Sequence, residues 1–465
     1  MARRELMSNV DRAWLRMEEP SNLMMVTALL TTKEKVLYDD LLELLKERLM
    51  KFDRFRQRVI LRGIIFEDTY WEDVPFFDPA DHVTRTSIAN ENPRDELQAL
   101  AGTLMSTPLD YDKPLWHITM IDDVREGTGF IIRLHHCIAD GNALVRVLLS
   151  MMTTDKKLLK PEKEAESTER PTFLDPVVDV LLNAWVSAET MVKLSYRLLK
   201  RPSQVFDWAK MTIEGGFSLG RLVLRWPDPK TMLKQKLQNQ KLASWSWEIP
   251  LERVKEIRRG AGATVNDVVV TAAAGALGRY LKARGEETTD MNIRAAIPVD
   301  IRQSTDPFAM GNKFGLVFLS LPVGMEDLRE RLTEQKRRMD ELKNTPEAFV
   351  SFLVLNTMGA APKEIESLVV DVIGTKTSLV LTNVPGPSVP LYLAGCEVDN
   401  ILFWVPQAGR VGLGISVISY NNKVRIGVAT DAQIIPDPAA IVDAFQEELD
   451  AMHELFVGPE TSPSP

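Results

Sequence analysis

Apolar residues fall into two rhythms along this chain, and the switches between them mark its elements. Tyr38 to Lys51 repeats apolar residues three and four apart, the spacing of one helix face. Ahead of it, Ser8 is placed to cap a helix running to about Glu18, with Asp11 at its third position, and Leu23 to Leu30 reads as a strand. Thr128 to His136 is β-branched and apolar, as a buried strand requires. Asn142 to Met152 then returns to helical spacing through Leu144, Val145, Val147, Leu148 and Leu149. Later, Leu251 to Arg259 is helical and Gly260 suits the position just past its end, so Gly-Ala-Gly at 260–262 reads as a terminator. Thr264 opens a further helix to about Ala283, followed by Gly285. Strands are expected at Ile293 to Pro298, Phe314 to Val323 and Thr377 to Val384, and a hairpin from Val411 to Ala429 turns at Asn421-Asn422.

Between these two runs of elements the pattern breaks. Leu158 to Pro171, LLKPEKEAESTERP, is charged and bracketed by prolines, and reads as a solvated linker. Asp175 and Pro176 fit the cap and first position of a helix continuing towards Leu199. Between Met191 and Lys241 stand eleven lysines and arginines against three acids, a local balance of +8, interleaved with Phe206, Trp208, Phe217 and Trp226. Two readings stay open for this stretch: a solvated face over core, or a surface for anionic lipid, where each basic charge contributes ~1 kcal/mol. The expected architecture is α/β: a first half at 1–157, a linker and helical crossover at 158–243, a second half at 244–456 and a disordered tail at 457–465.

Composition narrows the function. With 465 residues, 45% hydrophobic and 26% charged, the chain can bury a large core without staples. A net charge of −9 argues against nucleic acid as a partner. Two cysteines, Cys137 and Cys396, exclude a disulfide framework and fit a reducing cytoplasm. The N-terminus, MARRELMSNVDRAW, lacks the apolar stretch of a signal peptide, and no window approaches the roughly 18 apolar residues of a spanning helix. A cytoplasmic protein is expected, with any membrane contact peripheral.

The candidate chemistry sits where a strand meets a helix, in RLHHCIADGNALV at 133–145. Only five histidines occur in the chain, and two are adjacent. Neighbours on a strand face opposite ways, so His135 and His136 cannot share one reacting atom or one metal ion. His82, His117 and His453 add no metal-like spacing, and no metal is expected. A neutral imidazole suits proton abstraction near neutrality. Cys137 points away from His136 on strand alternation, so direct transfer from an activated acyl group is favoured over a covalent thiol route. Asp140, followed by Gly141, reads as a structural residue of the turn; Arg294 and Arg302 are candidate partners for a buried carboxylate there.

HHCIADG at 135–141 matches the HHxxxDG signature of the CoA-dependent acyltransferase superfamily, which shares a fold with chloramphenicol acetyltransferase and peptide-synthetase condensation domains. The surrounding blocks resemble the bacterial wax ester synthase/diacylglycerol acyltransferase family: STPLDYDKPLW (106–116), TVNDVVVTAAAGALGRYL (264–281), IPVDIR with GNKFGLVFLSLPVG (297–324) and LTNVPGP (381–387). The resemblance runs from about Met7 to Phe456. It implies two chloramphenicol-acetyltransferase-like halves with the active site at their interface. It also implies His136 as the general base that takes the hydroxyl proton of a long-chain alcohol or diacylglycerol, with His135 supporting, fatty acyl-CoA as the donor substrate and no bound cofactor. One departure is Met24-Met25-Val26, where many members carry Met-His-Val.

The remaining blocks have structural readings beside functional ones. Thr264 and Asp267 look like a capping box, while Asn266 in the same turn is a candidate polar contact. Pro114, Leu115 and Trp116 are expected as wall or core of the substrate path, and Asn383 with Gly386, set between prolines, as a rigid turn shaping it. The rivals are a condensation-type enzyme using carrier-bound acyl groups and a non-catalytic coat protein of lipid inclusions.

Overall fold

The structure, a computed structural model of the chain, describes residues 3–62, 68–88, 92–156, 226–301, 310–343, 345, 347–407 and 409–458. The expected linker from 158, the Asp175 helix, the basic-aromatic stretch up to 225, Arg302 and the tail from 459 lie outside the described residues.

The first half runs β1 (Arg4–Leu6), α1 (Asn9–Arg16), β2 (Met25–Thr32), α2 (Tyr38–Glu47), β3 (Gln57–Arg62), β4 (Asp68–Asp73), β5 (Val83–Ser87), α3 (Pro93–Met105), β6 (Trp116–Val124), β7 (Gly127–His135), α4 (Gly141–Ser150) and β8 (Met152–Thr153). The second runs β9 (Lys241–Trp245), β10 (Ile249–Pro250), α5 (Leu251–Ala261), α6 (Val265–Ala283), β11 (Ile293–Asp300), β12 (Phe314–Leu321), α7 (Leu328–Leu342), α8 (Glu347–Ala360), α9 (Lys363–Lys376), β13 (Leu379–Pro385), β14 (Tyr392–Leu393), β15 (Cys396–Trp404), β16 (Leu413–Tyr420), β17 (Lys423–Asp431) and α10 (Pro438–Phe456).

The capping residues act as the pattern predicts. Ser8 Oγ accepts the Asp11 N–H at 3.1 Å, and Thr264 and Asp267 close a reciprocal capping box on α6. The turn at Asn421-Asn422 puts both residues at positive φ, 46° and 59°, as a tight hairpin needs. One terminator moves. Gly260 lies inside α5, and the left-handed cap is Gly262 at φ 61°. Gly260 serves packing instead: a Cβ there would stand 2.2 Å from the Phe456 carbonyl of α10.

Two mixed sheets carry the fold. The first has the order β5-β6-β7-β2-β15-β14-β8, with β2 buried along its whole length between β7 and β15. The second has the order β10-β17-β16-β13-β11-β12, and β9 also pairs with β17. Strand β15 is the unexpected part: residues from late in the chain complete the first sheet, pairing antiparallel with β2. One hydrophobic core accordingly runs from α1, β2, β6 and β7 to Leu355 and Met358 of α8 and Trp404 of β15. A second surrounds α6, apolar and buried on nearly every side, with β13, β16, β17 and α10. Among the described residues no single helix is long and apolar enough to cross a membrane; α5 and α6 reach that length only as a pair bent by 96°.

Two lysines of the basic stretch are part of this core architecture. Lys241, almost fully buried, pairs with Asp431 at 2.9 Å, and Lys234 donates to the Gly374 and Thr377 carbonyls at the end of α9. Neither stands on a free basic face. Trp226 is exposed.

Candidate active site

Strand β7 delivers the histidines. His135 N–H donates to the Leu115 carbonyl at 2.9 Å and His136 N–H to the Met24 carbonyl at 2.7 Å, so β6 and β2 grip consecutive residues from either side. Past the strand the chain turns, and Asp140 caps α4 by accepting the Ala143 N–H at 3.0 Å. The two imidazoles then diverge, as strand alternation requires.

His135 is fully buried and faces Glu18. Its Nδ1 accepts the Cys137 N–H at 3.1 Å, so Nε2 carries the proton and meets the Glu18 carboxylate at 3.2 Å. The same carboxylate accepts the Met24 N–H at 3.0 Å and the Tyr111 hydroxyl at 2.8 Å. Burial alone would raise the Glu18 carboxyl; its interactions with His135, then Tyr111 and Met24, outweigh it and hold the group below its ordinary value. Met25, the residue that departs from the family pattern, is paired directly across from His135 on β2.

His136 turns the other way. Its ring stacks on Trp14 of α1, centroids 4.1 Å apart, and lies 5.5 Å from Phe314 of β12. Only 5% of it is exposed, and burial, followed by the neighbouring His135, pushes its pKa down to about 3. The ring is therefore neutral at physiological pH.

The second half reaches this loop through three consecutive residues. Gly311 forms a parallel bridge with Ala139, and Lys313 N–H donates to Asp140 Oδ2 at 2.9 Å. Asn312 Nδ2 donates to the His136 carbonyl and to Asp11 Oδ1, both at 2.8 Å, and its N–H reaches the same Asp11 oxygen at 3.0 Å. Gly311 holds φ 93°, which a side chain would resist. Arg294, one candidate partner of Asp140, engages Asp228 instead at 3.3 Å.

Other expected site residues divide into two groups. Asn266 and Asn383, from separate blocks, meet: Asn383 Nδ2 donates to Asn266 Oδ1 at 2.9 Å. Leu115 and Trp116 are packed away, the indole N–H on the Phe55 carbonyl at 2.9 Å and the ring stacked on His82. Pro114 is buried beside them, and the Leu115 carbonyl is what holds His135. Gly386 donates its N–H to the Ser419 carbonyl at 2.7 Å. Among the described residues a Cβ at Gly141, the first residue of α4, would meet nothing within 4 Å. The Cys137 thiol is fully buried, and burial, then the charges of Asp11 and Glu18, push its pKa up. Among the described residues no group of three His, Cys, Asp or Glu side chains could hold a metal ion.

Pattern reading missed Trp14, Glu18, Tyr111, Asn312 and Phe314. Phe314 and Asn312 lay in a block already singled out, GNKFG, but nothing local says what that block touches.

This arrangement has relatives. A model of the wax ester synthase/diacylglycerol acyltransferase catalytic domain matches residues 7–269, and one of the C-terminal domain of the same family matches 310–453. Two Mycobacterium tuberculosis proteins carrying the provisional name diacylglycerol O-acyltransferase are 25% and 24% identical, covering 97% and 87% of this chain and 90% and 85% of their own lengths. The solved wax ester synthase/diacylglycerol acyltransferase of Marinobacter aquaeolei VT8 superposes with a TM-score of 0.67 at 21% identity, over 98% of this chain and 100% of that one. The first condensation domain of the calcium-dependent antibiotic synthetase shares the fold more loosely, with a TM-score of 0.61 at 15% identity over 99% and 98% of the two chains. By both family matches, which together span most of its length, the chain belongs to the wax ester synthase/diacylglycerol acyltransferase family.

Proposed function

We propose that the protein moves a long-chain fatty acyl group from acyl-CoA to the hydroxyl of a fatty alcohol or of diacylglycerol, with His136 as the general base. The observation that carries this reading is a neutral, stacked imidazole held between α1 and β12, where the two halves meet. The acceptor hydroxyl gives its proton to the ring nitrogen, its oxygen bonds to the thioester carbon, and the carbon–sulfur bond breaks. The ring then returns the proton to the departing thiolate, so base and acid are one group and nothing is oxidised or reduced. A ring held near 3 rather than 6.5 makes free imidazolium costly by roughly 5 kcal/mol, which favours a proton that passes through the ring without residing there.

The other residues position this step. Asp140 and Gly141 shape the turn behind the histidine, His135 anchors it from the rear face, and the Asn266–Asn383 pair offers a polar contact to the substrates. Pro114, Leu115, Trp116 and Gly386 support the path by packing. The chain divides around the crossover 158–243 into halves at 1–157 and 244–456. The enzyme works in the cytoplasm without a cofactor, in peripheral contact with membrane or lipid inclusions, where acceptors and products partition; the exposed indoles of Trp226 and Trp247 support that contact.

Purified protein given labelled palmitoyl-CoA with hexadecanol or diacylglycerol should form wax ester or triacylglycerol, and His136→Ala should lower kcat by roughly 10²–10⁴. Full-speed ester formation by a folded His136→Ala protein would end this reading. Product from carrier-bound acyl groups alone would favour the condensation-type rival.

A further inference from the structure

Taking a proton puts a positive charge on the His136 ring, and something must meet it. Among the described residues no carboxylate is coupled to the ring, whose Nδ1 has no hydrogen bond. The acids of the site are engaged elsewhere: Asp11 by Asn312, Glu18 by His135, Tyr111 and Met24, and Asp140 by the Ala143 and Lys313 N–H groups. What the ring does have is an aromatic face. The Trp14 indole lies over it with centroids 4.1 Å apart and planes 24° from parallel, while Phe314 stands 5.5 Å away and is tilted by 50°. A ring's quadrupole attracts a cation within roughly 6 Å of its centroid, and tryptophan presents the strongest face.

We propose that Trp14 is the electrostatic partner of the base: its π face stabilises the imidazolium that forms as the acceptor hydroxyl is deprotonated, in the place an acid takes in a histidine–carboxylate pair. The inference rests on His136 as the base. A neutral imidazole and an indole attract mainly through dispersion. The cation–π attraction therefore appears only as charge develops, and it lowers the barrier without tightening substrate binding. Burial strengthens it, since His136 is 5% and Trp14 6% exposed. The face is also held in advance, because α1 is bound to the second half along its length. Asp11 takes the Asn312 amide, and Arg16 reaches the Ala361 carbonyl and the Glu366 carboxylate, each at 2.6 Å. Gly359 lets α8 come so near that a Cβ there would stand 1.7 Å from the Asn9 carbonyl. An indole fixed in this way needs no reorganisation when the charge appears.

The test changes the quadrupole and leaves the shape. Tryptophan carrying one to four ring fluorines, placed at position 14 by codon suppression, keeps the stack while each fluorine draws electron density from its face. Turnover with palmitoyl-CoA and hexadecanol should slow stepwise with fluorine count, kcat falling roughly 10-fold at four fluorines with KM for palmitoyl-CoA within about twofold. Trp14→Leu should lose roughly 10–30-fold in kcat, and Trp14→Phe should fall between it and wild type. The same fluorinated series at Trp404, which is buried against Trp245, should leave kcat level. A second reaction needs no acyl transfer: alkylation of His136 by iodoacetamide, followed by peptide mass spectrometry. A ring nitrogen displaces iodide there, and the ring is cationic until its N–H proton leaves, so alkylation should slow in the same order. A protein that makes no ester yet shows graded alkylation would fail the acyltransferase reading and keep this inference. Level kcat and level alkylation across the position-14 series overturn the proposal, as does an equal decline at Trp404.

Discussion

Removing the Glu18 carboxylate should damage the fold and the site together. It accepts three hydrogen bonds, from Met24 N–H, the Tyr111 hydroxyl and His135 Nε2–H, and its side chain is 13% exposed. Tyr111 is 38% exposed and can turn to water, but Met24 and His135 are fully buried and cannot. Glu18→Ala therefore strands two donors at ~1–3 kcal/mol each, in line with the ~3–5 kcal/mol lost when one partner of a buried pair is removed. A loss of about 4 kcal/mol corresponds to a melting temperature roughly 8–16 °C lower for a half of this size. Glu18→Gln keeps one oxygen and should lose about half as much. Catalysis should fall as well, because Met24, held by Glu18 through its N–H, holds His136 through its carbonyl. The carboxyl titrates below its ordinary value when folded, so its contribution is present above about pH 4.5 and is lost as pH falls through the folded value. Thermal melts followed by circular dichroism, with kcat measured well below both transitions, test this. A Glu18→Ala protein melting within a degree of wild type would refute the reasoning.

Asp140→Ala strips the cap from Ala143 N–H and the partner from Lys313 N–H, and should lose about 2–4 kcal/mol in urea denaturation; an unchanged midpoint would sink the docking role. His136 and His117, held at about 3 and about 4 chiefly by burial, bind no proton in the folded protein but do so near 6.5 when unfolded. Their contribution is therefore complete above pH 6.5 and drains away as pH falls towards 4 and below, so the melting temperature should decline over that window while kcat/KM stays flat from pH 8 to about 5.5. A kinetic limb centred on 6.5 would show the base to be solvated. Asp267→Ala removes half of the capping box and should cost about 0.5–2 kcal/mol with kcat unchanged; a large drop in kcat at unchanged stability would move Asp267 into the chemistry.

The sequence alone determined what depends on neighbours along the chain. Periodicity located β2, β7, α4, α6 and the β16–β17 hairpin, because a buried face imposes its spacing on the residues that form it. Cap chemistry marked Ser8 and Thr264, and the alternation of a strand was enough to say that His135 and His136 must part. Tertiary structure alone decided the rest. Nothing local in Cys396–Trp404 says that it joins β2 in the other half's sheet, since an apolar strand fits any sheet with an open edge. The acidic residue at Glu18 reads as a helix end until His135 arrives 117 positions later, and Asn312 reads as a loop residue until it meets Asp11 and His136. Each of these partners is named only by the way distant segments pack, because buried polar atoms take whichever donors and acceptors the closed core brings to them.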